Sequence, residues 1–403
     1  MRILHVFGGI RTFKIANWQS KQPNVEAHKI AMEDITPYES YYKGTSMKIH
    51  TSKKLTGFFN KLKGKKLWAA RLHLLAYPFY INLIAKVAKE NNIDLIHAYR
   101  HTGSFATIMA KKLFGLKQKV IFDYQDPWSG EEKAKTSALY KVLAKIFYKL
   151  EGFLIKNSDF VITQGQEQTD ILAARHKVSE KKFDFTWNTV DENRFNLHSK
   201  DGALLRKKYG LRNKDITLLY SGSIVPYYGI HIVPEAMKEI IEEFPNVKFA
   251  VSPVVRDVAY WNSIKQKISD YKLEKNFVEL KPESLDEIPK LIAMCDIGLI
   301  THMRGSYVCE VAIPTKLFEY MACGLTIVTS DMKHLTQFVL PENCGLAYIP
   351  NDAGSLAAAI RKLLSKPSLL KTYGHNSRKA VEKTYNWDAE MKKVLKDYYT
   401  LVT

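Results

Sequence analysis

The sequence predicts an α/β protein made of two doubly wound domains, and three observations carry that expectation. Short β-branched apolar runs recur along the chain, each followed by a stretch of helical composition, and strands alternating with helices close into parallel sheets. A chain of 403 residues is long for one core and suits two domains of about 200 residues each. The alternation also starts twice with a strand running into small residues, at 2–7 into Gly8-Gly9 and at 216–220 into Ser221-Gly222-Ser223. Polar sequence around 196–202 reads as the hinge. The expected units are therefore 1–198, 199–386 and a terminal helix over 387–403 that packs back on the first domain.

Bulk composition narrows the class. Hydrophobic residues at 46% supply two cores, while charged residues at 25%, with no low-complexity tract, argue against long disorder. No internal repeat has a solenoid period. Cys295, Cys309, Cys323 and Cys344 fit neither a redox pair nor a zinc cluster, and read as reduced core thiols of a cytosolic protein. No apolar signal region follows Met1-Arg2, and no stretch is long enough to span a bilayer. The net charge is +19, and it is uneven: residues 1–198 carry 32 Lys and Arg against 18 Asp and Glu, a balance of +14 that leaves +5 for the rest. Positions 43–89 hold 11 basic residues and no acidic one, interleaved with Phe58, Phe59, Leu62, Leu67, Trp68 and Leu72. That pattern suits an acidic membrane surface, and equally a helix pair with its apolar face inward. No recognition-helix, RNP or zinc-finger signature accompanies the charge, so nucleic acid is not an expected partner.

In the first domain the strand 2–7 brings Gly8 and Gly9 to the crevice end of a sheet, where glycine lets backbone approach a ligand, or simply makes a tight turn. Strand 94–99 (DLIHAY) is followed by a helix from RHTGSFATIMAKKLFG, and strand 119–122 ends at Asp123-Tyr124-Gln125-Asp126. Polar residues at strand carboxyl ends line crevices, which makes His97, Arg100, His101 and Asp126 candidates for an acceptor pocket. A histidine on a strand is also commonly a hydrogen-bonded core residue. Strand 160–163 follows, and TWNTVD at 186–191 closes the domain.

The second domain repeats strand, loop and helix at 216–220, 247–252, 277–280, 296–301, 325–330 and 346–349. Its chemistry concentrates in DIGLITHMRGSYVCEVAIPTKLFEYMACGLTIVTSDM, residues 296–332. Pro314 is expected at the first helical position, so that the amides of Thr315, Lys316 and Leu317 face an anion at the positive end of a helix. Glu319 shares a face with Lys316 one turn on. The same spacing suits an ordinary surface ion pair.

PTKLFEYMACG followed by a strand, with YSGSIVPYYGI, MCDIGL and NTVD in support, resembles the group-1 glycosyltransferases, and the resemblance covers essentially the whole chain. It implies the GT-B fold, two doubly wound Rossmann-like domains facing a central cleft, and sugar transfer from a nucleotide diphosphate sugar with retention of configuration and no metal or other cofactor. By that likeness Glu319 takes the ribose hydroxyls, the turn Thr315–Leu317 takes the diphosphate, and Gly222, Ser223 and Tyr228 form the second glycine loop. Many members carry an arginine and a lysine where Ser223 and Tyr228 stand, so Lys316 with Arg304 is expected to supply the missing positive charge. Glu310 stands one residue from the family's first acidic position, and the frequent HxH is His97-Ala98-Tyr99 here. The expected catalytic residues are His97, Lys316 and Glu319. The expected partners are the nucleotide sugar, a carbohydrate or lipid-linked acceptor and an acidic membrane, in the cytoplasm or on the inner face of the cell membrane. An epimerase of the same fold and a non-catalytic nucleotide-sugar-binding protein are the alternatives.

Overall fold

The computed structural model describes residues 1–31, 44–51, 66–125, 138–196, 199–282, 284 and 286–403. The chain forms two compact units, Met1–Thr186 with Met391–Thr403, and Trp187–Glu390. The first unit holds β1 (Arg2–Val6), β2 (Glu26–Ile30), β3 (Lys48–His50), β4 (Leu95–Tyr99), β5 (Lys119–Asp123), β6 (Phe160–Thr163) and β7 (Phe183–Phe185). They form one parallel sheet in the order β3-β2-β1-β4-β5-β6-β7. The second holds β8 (Ile216–Ile224), β9 (Val247–Val255), β10 (Phe277–Glu279), β11 (Ile297–Ile300), β12 (Thr326–Ser330) and β13 (Gly345–Tyr348), parallel in the order β10-β9-β8-β11-β12-β13. Strand order reverses between β1 and β4 and again between β8 and β11. At such points the connections leave in opposite directions and the carboxyl ends open a crevice.

The division between units falls before the polar stretch at 196–202, for a packing reason. Trp187 meets the rings of Phe338 and Tyr385 edge-on at 5.1 and 5.9 Å, and its amide donates to Glu390 Oε1 at 2.8 Å. Segment 186–191 makes a single bridge, Val190 to Asn386, and β7 is the last strand of the first sheet.

Several elements differ from what the sequence suggests. β8 does not stop at Tyr220, because its register with β9 continues through Gly222 and Ser223 to Ile224 opposite Val255. The supposed glycine loop is the end of a strand. β2 was not anticipated, since His28 and Lys29 stand in its middle. Both are buried: Lys29 Nζ donates to the Phe7 carbonyl at 2.5 Å, and His28 bonds Glu26 at 3.0 Å and stacks on His50. The helix Ala138–Asn157 was likewise unforeseen. Of the basic stretch 43–89, residues 52–65 lie outside the described part. The helix Lys66–Glu90 buries Ala76, Tyr80, Ile84 and Ala88 in the core beside β1 and β4, so residues 76–89 pack an apolar face inward, while the side chains of 66–75, Leu67, Trp68 and Leu72 among them, lie outside the described part. No described helix is long and apolar enough to cross a membrane. The four cysteines are buried and form no disulfide, and burial pushes the Cys295 thiol up to about 12.

Candidate functional site

In the second unit the loops after β8 and β11 meet at the switch point of the sheet. After β8 the chain turns through Pro226–Tyr228 into Gly229, whose φ is +65° and whose added Cβ would stand 2.3 Å from the Thr301 carbonyl. Only glycine fits there. The approach is held by three bonds: Thr301 Oγ1 donates to the Tyr228 carbonyl at 2.5 Å, and the Met303 amide and Cys309 Sγ donate to the Tyr227 carbonyl at 3.2 and 3.0 Å. This lacing lays the Tyr228 ring on His302, centroids 5.1 Å apart and 22° from parallel.

Lys316 projects into the same place from the helix Thr315–Ala322. Its Nζ lies 3.8 Å from the centre of the Tyr220 ring and 5.2 Å from that of Tyr228, and a Cβ on Gly222 would be 3.8 Å from it. The side chain is 8% exposed, and burial lowers its pKa to about 7, with Cys309 and the Glu319 carboxylate opposing the fall. With a pKa of about 7, this amine is about half protonated near neutrality. Buried His302 is held neutral, first by burial and then by Lys316 and His334.

The other predicted residues sort around this centre. Pro314 is the N-cap, with ψ 134°, and not the first helical residue; the Leu317 amide donates to its carbonyl at 3.0 Å. The Leu317 amide is thus already bonded within the turn, and the Leu317 side chain lies in the hydrophobic core. Thr315 is exposed and Glu319 half-buried on the first two turns. Tyr320, one residue on, accepts the Ser221 amide at 2.7 Å and so ties the helix to the end of β8. Arg304 is exposed and donates to the Asp331 carbonyl at 3.3 Å. Glu310 accepts the Gly305 amide at 2.9 Å, which holds the loop between β11 and the helix. Gly222, with φ +126°, and Ser223 close the β8 end. Tyr220 and His302 were not singled out from sequence. Their signal was position alone, the last aromatic of a buried strand and the second residue past another.

In the first unit, Gly8 has φ +81°, and a Cβ there would lie 1.9 Å from Thr12 Oγ1. The tight turn accounts for it, with Gly9 as N-cap of the helix Ile10–Ser20. His97 is fully buried, with Nε2 3.2 Å from Asp123 Oδ2 and the hydroxyls of Tyr99 and Tyr398 at its Nδ1. Arg11 Nε lies 3.3 Å from the same Asp123 oxygen. Burial alone would raise the Asp123 pKa, but Arg11 and His97 hold it below the ordinary range; burial keeps His97 neutral. His101 belongs to a different buried group, with His176 and Tyr124 around Glu151. Arg100 is exposed in a left-handed conformation, φ +57°. His97, Arg100 and His101 are thus adjacent in sequence and held in three separate environments. Asp126 lies outside the described residues.

Two Rossmann-like parallel sheets, one with a buried amine at its switch point, define the GT-B class of glycosyltransferase fold. HepE of Anabaena, solved in complex with UDP, superposes with a TM-score of 0.73 at 17% identity, over 99% of this chain and 100% of that one. The family model "Glycosyl transferases group 1" matches residues 202–380. The putative glycosyltransferase YtcC of Bacillus subtilis is 21% identical over 82% of this chain and 79% of its own length. The capsular polysaccharide biosynthesis glycosyltransferase CapM of Staphylococcus aureus is 29% identical over 54% of each.

Proposed function

We propose that the protein transfers a sugar, with retention of configuration and without a bound metal, from a nucleotide diphosphate sugar to a carbohydrate or lipid-linked acceptor in surface polysaccharide assembly. One observation carries the reading: the amine of Lys316, buried against Tyr220 and Tyr228 beside Gly222 at the β8–β11 switch point. A buried amine near half charge gains a proton when an anion arrives, so the free energy of pairing is released on diphosphate binding. As the sugar–phosphate bond breaks, charge grows on the departing diphosphate, and Lys316 with the amides of Thr315 and Lys316 stabilises it. On this reading Glu319, one turn further along the helix, takes the ribose hydroxyls. Phosphate groups on a lipid-linked acceptor would suit the +14 balance of residues 1–198, and an acidic inner membrane face would bring such an acceptor to the enzyme. The capsule-related name of CapM and the UDP bound to HepE support the choice of reaction and donor class.

Thermal shift across UDP, GDP, ADP and CDP tests the donor half. A nucleotide at a hundred times its dissociation constant adds about 2.7 kcal/mol of stability. Turnover of Lys316→Ala at saturating donor tests the chemical half: the expected result is a loss of about a hundredfold or more in kcat. Activity near that of the unmodified enzyme would remove Lys316 from the mechanism.

A further inference from the structure

We propose that the outward face of the helix Ala138–Asn157 is a docking surface for an acidic phospholipid bilayer. Lys141, Lys145 and Lys149 are exposed at successive i, i+4 positions, which places them in one line along the helix. Val142 and Ile146 form the adjacent line and are 57% and 53% exposed. The helix's single carboxylate, Glu151, is turned inward, accepting from Tyr124 at 2.6 Å and bonded to His176 at 2.7 Å. The outward face therefore carries positive charge and aliphatic surface with no acidic residue of its own.

In water this face costs stability twice. Like charges at i, i+4 repel, and two β-branched side chains stand in solvent on a helix they do not favour. Both costs reverse at an anionic lipid surface, where lysines meet phosphate and the aliphatic pair enters the headgroup boundary. A nucleic acid would use the lysines but leave Val142 and Ile146 wet. The surface extends along the neighbouring helix Arg100–Phe114: Lys112 Nζ lies 4.7 Å from the Phe153 ring centre, and Leu113 beside it is 64% exposed. The inference is independent of the transfer reaction, because binding to a bilayer requires neither donor nor acceptor.

Sedimentation of the full chain with vesicles of phosphatidylcholine alone, and of phosphatidylcholine with phosphatidylglycerol, tests it. The expected result is binding to the acidic vesicles only, reversed by salt. The triple variant Lys141→Ala, Lys145→Ala, Lys149→Ala should lower the partition coefficient by about two orders of magnitude. Val142→Ser with Ile146→Ser should lower it by about tenfold, with thermal melting of both variants showing an intact fold. Equal binding by the variants and the unmodified chain would overturn the assignment and point to residues 43–89. So would loss on removing the lysines with no effect of the serine pair, which would mark a general polyanion site, and so would failure of the unmodified chain to bind acidic vesicles.

Discussion

If Lys316 meets the donor diphosphate, nucleotide-sugar binding must take up protons. The free amine titrates at about 7, against an ordinary 10.5. Suppose the diphosphate restores the ordinary value. The apparent affinity then follows the protonated fraction of the free enzyme and falls about thirtyfold between about pH 6 and pH 8.5, or ~2 kcal/mol. At about pH 7, close to half a proton should be absorbed per nucleotide bound. A nucleotide diphosphate sugar is the right probe, since its diester phosphates do not titrate in this range. Isothermal titration calorimetry in two buffers of different ionisation enthalpy measures the uptake directly, and Lys316→Met should abolish both uptake and slope while weakening binding at neutral pH by about ten- to a hundredfold. The free protein should respond in the opposite sense. Between about pH 7 and 10.5 the unfolded chain binds this proton and the folded chain does not, so the lysine's burden on stability is full below pH 7 and fades as pH rises through that window. Lys316→Met should therefore raise the melting temperature more at about pH 6 than at about pH 9. A pH-independent affinity with no proton uptake would refute the reasoning, as would the same slope in Lys316→Met.

Four further substitutions probe the scaffold. Asp123→Asn leaves the Arg11 guanidinium, paired with Asp123 at 3.3 Å, without its counter-charge in the core, and should cost about 3 to 5 kcal/mol in urea unfolding; a loss below about 1 kcal/mol would contradict a buried ion pair. Gly345→Ala places a Cβ 1.8 Å from the Ile327 carbonyl and should destabilise by about 3 kcal/mol or abolish folding, whereas Gly210→Ala, at φ +69° with open space around it, should cost only about 1 kcal/mol. Asp397, hydrogen-bonded to Asp184 and raised to about 7 first by burial and then by that carboxylate, holds a proton that the unfolded chain releases above the usual 3.8. Its contribution to stability is lost as pH rises from about 4 to about 7, so Asp397→Asn should raise the melting temperature at about pH 8 and change it little at about pH 4.

The alternation of strand and helix was legible because parallel strands buried on both faces read as mostly apolar or β-branched runs: β11 (IGLI) and β12 (TIVTS) do so, and β1 and β4 do so around a single buried histidine each. β2 escaped for the converse reason. Its EAHKI places a histidine and a lysine at fully buried positions, paid for by bonds to Glu26 and to the Phe7 carbonyl that no local pattern announces. The helix Ala138–Asn157 was hidden because lysines and exposed aliphatics share its outer face, which blurs the amphipathic stripe that marks a surface helix. At the candidate site, the motif PTKLFEYMA located the helix and its lysine. The charge state was not legible, since it depends on Tyr220 and Tyr228, which reach Lys316 from other elements.

The two switch points treat buried charge differently, and the difference bears on which one binds an anion. At the first, the carboxylate of Asp123 already has partners inside the protein, Arg11 and His97, and the Tyr398 hydroxyl of the terminal helix meets His97. At the second, Lys316 is packed against aromatic rings and beside a neutral imidazole, His302, and the fold responds by driving its proton off. A group held in its less favourable charge state is poised to gain from an arriving partner of opposite sign, whereas a carboxylate already paired with a guanidinium gains less. The proposed function therefore puts the anion site at β8 and β11, where ligand binding would recover the free energy given up by burying Lys316.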